Sequence, residues 1–109
     1  MTIQGKKFLT DILQAIELVE SFVVDIKDFD DYLTDKKTQS AVERQLGIIG
    51  EALNKFEKLF PDSQISNARR IVGFRNRLIH TYDSVDPSMV WAILKNHPGP
   101  LKDEVKSKM

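Results

Sequence analysis

The chain has 109 residues, sixteen of them basic and sixteen acidic, and no cysteine. That length suits one domain, residues 1–109, with a hydrophobic core large enough to fold without a disulfide or metal staple. The lack of cysteine excludes thiol catalysis, thiolate-bound zinc and a disulfide framework, and fits a reducing compartment. The balanced charge excludes a global field that would attract nucleic acid. Any contact with RNA must therefore come from a local basic patch or from one that two copies assemble. The N-terminus has two lysines and no long apolar run, so it does not read as a signal peptide. No stretch approaches the ~20 apolar residues of a membrane span, and the expectation is a soluble, cytoplasmic protein.

Prolines fall only at positions 61, 87, 98 and 100, which leaves long uninterrupted runs for helices. Leu9, Ile12, Ile16, Val19, Val23 and Ile26 follow alternating three- and four-residue steps, the seam of a helix packed along another, and Leu13 and Phe22 widen the stripe. The acidic and aromatic run Lys27 to Tyr32 reads as a short helical turn or loop between two antiparallel helices. A second long helix is expected to start near Asp35, a good N-cap type, and Val42, Leu46, Ile49, Leu53 and Phe56 give its apolar face. Gly47 and Gly50 lie inside that pattern at a cost of about 1 kcal/mol each, which points to close approach of a neighbouring helix. Glu51 beside them reads as a solvated helix charge.

Phe60-Pro61 ends this helix, because a residue before proline is pushed out of the helical region. Ser66 or Asn67 is placed to cap the next, which runs from Ala68 through Ile71, Val72, Phe74, Leu78 and Ile79. After a break at Tyr82 to Val85, Asp86-Pro87 is a restart, an acidic N-cap followed by proline at the first helical position. Met89, Val90, Ile93 and Leu94 form its apolar face, with Trp91 beside them. His97-Pro98-Gly99-Pro100 breaks the chain again, and a final helix from Leu101 to Lys108 is amphipathic only through Leu101 and Val105. No segment reads as a strand. The pattern predicts an all-α antiparallel helical bundle of four to five helices.

The stretch Arg75 to Tyr82 concentrates chemistry: Arg75, Asn76, Arg77, His80 and Tyr82 surround the apolar Leu78 and Ile79. Arginine offers a permanent forked cation for phosphate and for charge growing on a phosphoryl group. Histidine, with a side-chain pKa near neutrality, takes a proton from a ribose 2′-hydroxyl or gives one to a leaving oxygen. Together they suffice for metal-free RNA cleavage. One histidine with no carboxylate at ligand spacing does not make a metal site. Arg75 and His80, five residues apart, point about 140° from each other on a straight helix, whereas Asn76 and His80 share a face. A joint site therefore needs the helix to unwind near His80, or two copies to meet across a two-fold axis. The plainer reading has arginine and histidine near a helix end facing the last carbonyls and the helix dipole. By the same logic Tyr82 would be a core or interface aromatic, and His97 a helix-end residue without chemistry.

Arg75-Asn76-x-x-x-His80-x-Tyr82 resembles the Arg-x4-His-x-Tyr signature of the HEPN superfamily, in its HepT-like branch of toxins. The likeness extends along the chain through Leu9 to Ile16, Thr38 to Val42, Ile48 to Ala52, Val72 to Asn76, Val85-Asp86, Val90-Trp91 and Pro100-Leu101. Thr81 stands where the branch often has glycine. The resemblance implies a homodimeric bundle whose arginine and histidine line a composite cleft. It further implies a metal-independent endoribonuclease, without cofactor, that is the toxin of a type VII-like toxin–antitoxin pair. Arg75 and His80 would be the catalytic pair, Asn76 and Arg77 supporting residues, and Tyr82 the acceptor of AMP from an MNT-type nucleotidyltransferase antitoxin. An added AMP would set a negative phosphate and a bulky adenosine beside the cationic cleft. The alternative is a non-catalytic module that binds nucleotide or RNA, or serves mainly as the nucleotidyltransferase's partner.

Overall fold

The computed structural model describes residues 2–66, 71–73, 85–96 and 98–109. Among these the regular elements are all helices: α1 (Ile3–Phe22), α2 (Phe29–Leu33), α3 (Lys36–Leu59), α4 (Pro87–Asn96) and α5 (Pro98–Lys108). The described residues include no strand, and Ile71, Val72 and Gly73 are helical as well. The expectation of an all-α bundle holds. The expected four to five helices is an undercount, because the acidic and aromatic run forms a helix of its own and residues 71–73 belong to a sixth helical stretch.

The helices are opened by short polar N-caps, at Asp35 and Asp86 as the sequence suggests. Thr2 accepts a hydrogen bond from the Gly5 backbone N–H at 3.1 Å and so opens α1. Asp35 opens α3 by accepting from the Thr38 N–H at 3.0 Å and from its hydroxyl at 2.6 Å, and these bonds hold the Asp35 carboxyl below its usual pKa. Each satisfies an N–H that the first helical turn leaves without a partner. Asp86 does the same for α4, accepting from Ser88 N–H at 2.9 Å and its hydroxyl at 2.7 Å.

Two boundaries differ from the sequence reading. The apolar spacing of α1 runs on to Ile26, yet the helix stops at Phe22 and Val23 is its C-cap. The consecutive β-branched Val23 and Val24 are poor helix formers, and Val23 and Ile26 still pack against the core from the turn that follows. The last helix begins at Pro98 rather than Leu101. Prolines at its first and third positions cost little, since those N–H groups have no intrahelical partner in any case.

The core is formed by Leu9, Ile12, Ala15 and Ile16 of α1 with Val42, Leu46, Ile49, Leu53 and Phe56 of α3. Val90 and Ile93 of α4, Leu101 and Val105 of α5, and Ile65 and Ile71 from between α3 and α4 complete it. α1 packs against α3 and α5, α2 against α3 and α4, and α4 against α5. Polar contacts fix the last helix in place. Lys102 reaches Glu20 of α1 at 2.9 Å, and Glu104 accepts from both the N–H and the hydroxyl of Ser66 at 2.9 Å.

Tyr32 is the residue whose environment the sequence reading did not anticipate. It is fully buried and lies 5.5 Å from the Trp91 ring, centroid to centroid, while Phe29 sits 6.3 Å from the same ring. Gln39, also buried, holds the end of α2 by donating to the Tyr32 carbonyl at 2.8 Å and the Leu33 carbonyl at 3.0 Å. The Tyr32 hydroxyl has no hydrogen-bond partner among the described residues, and burial, with Glu43 and Asp35 adding to it, raises its pKa well above the ordinary value. A buried hydroxyl without a partner costs about 1–3 kcal/mol. Tyr32→Phe is therefore expected to leave stability unchanged or raise it by about 1 kcal/mol, measured by urea denaturation. A clear loss of stability would show that the hydroxyl has a partner after all.

Candidate functional site

The five sequence-predicted site residues, Arg75, Asn76, Arg77, His80 and Tyr82, lie outside the described residues, as does His97. So does most of the helix expected over Ala68 to Ile79 and the break that follows it. What the structure shows is the frame on either side. Upstream, Ile71 is buried in the core and Val72 packs at its edge. Gly73 points outward, and a Cβ there would meet nothing within 4 Å. Downstream, Val85 packs against the core and Asp86 caps α4. Ile71 and Val85, which flank the predicted cluster in sequence, both belong to or pack against the core.

The described titratable groups supply little chemistry of their own. Partial burial holds Glu43 above the usual carboxylate range, with Lys36 acting against it. Tyr32 is held in its neutral phenol form. Among the described residues no group of three or more histidine, aspartate or glutamate side chains is arranged to hold a metal ion. Between α1 and α3 runs an open groove of about 490 Å³, lined by apolar Phe8, Ala15, Leu18 and Ile48 with Lys7, Asp11, Glu51 and Lys55 at its edges. Lys7 pairs with Asp11 at 3.0 Å and Lys55 with Glu51 at 3.2 Å, so the charges of this groove cancel. Glu51 is solvated and paired within its own helix, as the sequence reading expects. Trp91 has a cation above it, the Lys95 ammonium 4.8 Å from the ring centre, an arrangement that stabilises the exposed side of the aromatic cluster.

The described frame is an all-α bundle with capped long helices. The ribonuclease HepT-like family model matches residues 12–107, and the chain belongs to that family. The chain is 44% identical over 101 residues to "Probable ribonuclease HepT" of Thermococcus cleftensis, covering 89% of this chain and 88% of that protein. It is 38% identical over 105 residues to "Putative RNase MJ1380" of Methanocaldococcus jannaschii, covering 93% of each. A bacterial relative, "Putative RNase TTE0752" of Caldanaerobacter subterraneus, is 35% identical over 103 residues and covers 93% of this chain and 90% of its own. No solved structure matches the chain significantly.

Proposed function

We propose that this chain is a metal-independent endoribonuclease and the toxin half of a HEPN-type toxin–antitoxin pair. The observation that carries the reading is the family match over residues 12–107, which includes Arg75, His80 and Tyr82. The relatives' names, ribonuclease and RNase, support the same activity. No helix among the described residues is long and apolar enough to cross a membrane, in keeping with action on RNA in the cytoplasm.

In this reading the chain forms a homodimer in which Arg75 and His80 line a cleft completed by the second copy. Asn76 and Arg77 support the cationic surface that receives the RNA backbone. The His80 imidazole takes the proton of a ribose 2′-hydroxyl, the 2′-oxygen bonds to the adjacent phosphorus, and the bond from phosphorus to the 5′-oxygen breaks. The leaving oxygen takes up a proton, which gives a 2′,3′-cyclic phosphate and a 5′-hydroxyl end. Arg75 offsets the charge that grows on the phosphoryl oxygens. No step calls for a cofactor.

Tyr82 is the off-switch in the same scheme. An MNT-type nucleotidyltransferase partner directs the tyrosine oxygen onto the α-phosphorus of ATP, pyrophosphate leaves, and AMP stays on Tyr82. The added phosphate offsets the positive charge that attracts RNA. Incubation with such an enzyme and ATP is expected to add AMP at Tyr82 and abolish RNA cleavage, read by mass spectrometry and a gel assay. Tyr82→Phe is expected to stay unmodified and active. Modification at another residue, or loss of cleavage without modification, would refute the switch.

A further inference from the structure

Gly73 is a glycine that the described fold does not require. It is helical and exposed, and no described glycine has a positive φ, so its backbone needs no left-handed freedom. A Cβ there would meet nothing among the described residues within 4 Å, so no neighbouring helix presses against it. Glycine is the poorest helix former after proline, and alanine at this position would fit and favour the helix. Gly99 also has open space beside it, but it stands inside α5 directly before Pro100, where a side chain would crowd the proline ring. Gly73 precedes Phe74 and lacks that reason. The remaining use of glycine is to let something outside the chain come close to the backbone.

The surrounding sequence says what charge that visitor carries. Four of the chain's five arginines, Arg69, Arg70, Arg75 and Arg77, lie within four residues of Gly73, and no acidic residue falls between Asp62 and Asp83. In a chain of balanced charge this is a local basic run, to which a polyanion is drawn. A second copy packed directly on Gly73 would set its own arginines against these, and like charges would oppose the contact. A cleft left open between copies keeps them free for RNA. Arg75 is two peptide links from Gly73, about 7.6 Å of chain at most. We propose that the ribose–phosphate backbone of the RNA packs directly on the helix surface at Gly73, and that the missing side chain makes room for it. The inference rests on the ribonuclease reading above and deepens it by naming a position that touches the substrate. Gly73 contributes to binding and takes no part in proton transfer.

Gly73→Ala and Gly73→Leu in the full chain test it through opposite effects on stability and on RNA. Both are expected to raise the urea midpoint, since alanine and leucine are better helix formers and the space is open. Single-turnover cleavage of an RNA oligonucleotide over a range of chain concentrations gives a half-saturation concentration and a limiting rate. Gly73→Leu is expected to raise the half-saturation concentration about tenfold and leave the limiting rate unchanged, the pattern for binding lost equally before and in the transition state. Gly73→Ala, which adds one carbon, falls between. A lower urea midpoint in both variants would show that the fold itself needs glycine and would overturn the inference. A wild-type half-saturation concentration in Gly73→Leu, or a fall in the limiting rate alone, would overturn it while leaving the ribonuclease reading intact. A changed sedimentation mass with unchanged half-saturation would give the space to a second copy and overturn it as well. Fluorescence anisotropy of the same oligonucleotide reads affinity without cleavage. A wild type that binds RNA without cutting it, with affinity lost in Gly73→Leu, would sink the proposed cleavage and leave this inference standing. A wild type that binds no RNA would sink both.

Discussion

The His80→Ala chain is expected to fold with the wild-type helical content and to cleave RNA about 10²–10⁴-fold more slowly, the range for losing a general acid–base group. The physical reason is the scarcity of alternatives. The chain has two histidines, and His97 stands next to the proline where α5 begins. No other side chain type in the Arg75 to Tyr82 segment exchanges protons near neutral pH. Single-turnover rates with enzyme in excess measure the effect without interference from product release. Wild-type rates in His80→Ala would remove histidine from the mechanism and favour the non-catalytic reading, with any residual nuclease a contaminant. Loss of RNA binding together with rate would make His80 a binding residue instead.

The second large effect is on stability. Phe56 of α3 is fully buried, and its ring lies 5.1 Å from that of Phe60, centroid to centroid. Truncating such a side chain removes its transfer free energy and leaves a cavity that a packed core only partly fills. Phe56→Ala is expected to cost about 3–5 kcal/mol. Domains of this size are stable by roughly 5–15 kcal/mol, so the loss runs from a substantial fraction of the total to all of it. The urea midpoint measures the difference. A loss under about 1 kcal/mol would mean that the site collapses without penalty and that Phe56 is not the centre of the core described here.

Much of the fold was legible because helix packing leaves a direct imprint on residue spacing. Leu9, Ile12 and Ile16, and Val42, Leu46, Ile49, Leu53 and Phe56, are core residues in the structure as their spacing requires. Asp35 and Asp86 cap the helices they precede, because a short carboxylate beside an unpaired N–H is a local matter that tertiary structure seldom overrides. What the spacing could not show was where long-range packing decides. Ile26 continues the α1 seam in number but leaves the helix, since the turn after Val23 lets it reach the core without helical geometry. Tyr32 sits in an acidic run and has no periodic neighbours, yet contacts with Trp91, nearly sixty positions away in sequence, bury it. Gln39 likewise reads as a polar helix residue, and only the carbonyls at the end of α2 explain its burial.

The candidate site was legible in a different way. Arg75, His80 and Tyr82 stand out by residue type, and all three lie outside the described residues. The five-residue offset of Arg75 and His80 on a straight helix requires either a helix break or a second copy to complete a joint site. Glu51 reads as an ordinary solvated charge, and the structure keeps it exposed and paired with Lys55.

The central claim, metal-independent cleavage through the ribose 2′-oxygen, is tested most directly with one pair of substrates. An RNA oligonucleotide and the same oligonucleotide with a single 2′-deoxy nucleotide at the cleaved position are incubated with the purified chain in excess EDTA. The RNA is expected to be cut to a 2′,3′-cyclic phosphate and a 5′-hydroxyl end, and the 2′-deoxy substrate to stay intact at that position. Cleavage that appears only when a divalent metal is restored, or equal cleavage of the 2′-deoxy substrate, would contradict it.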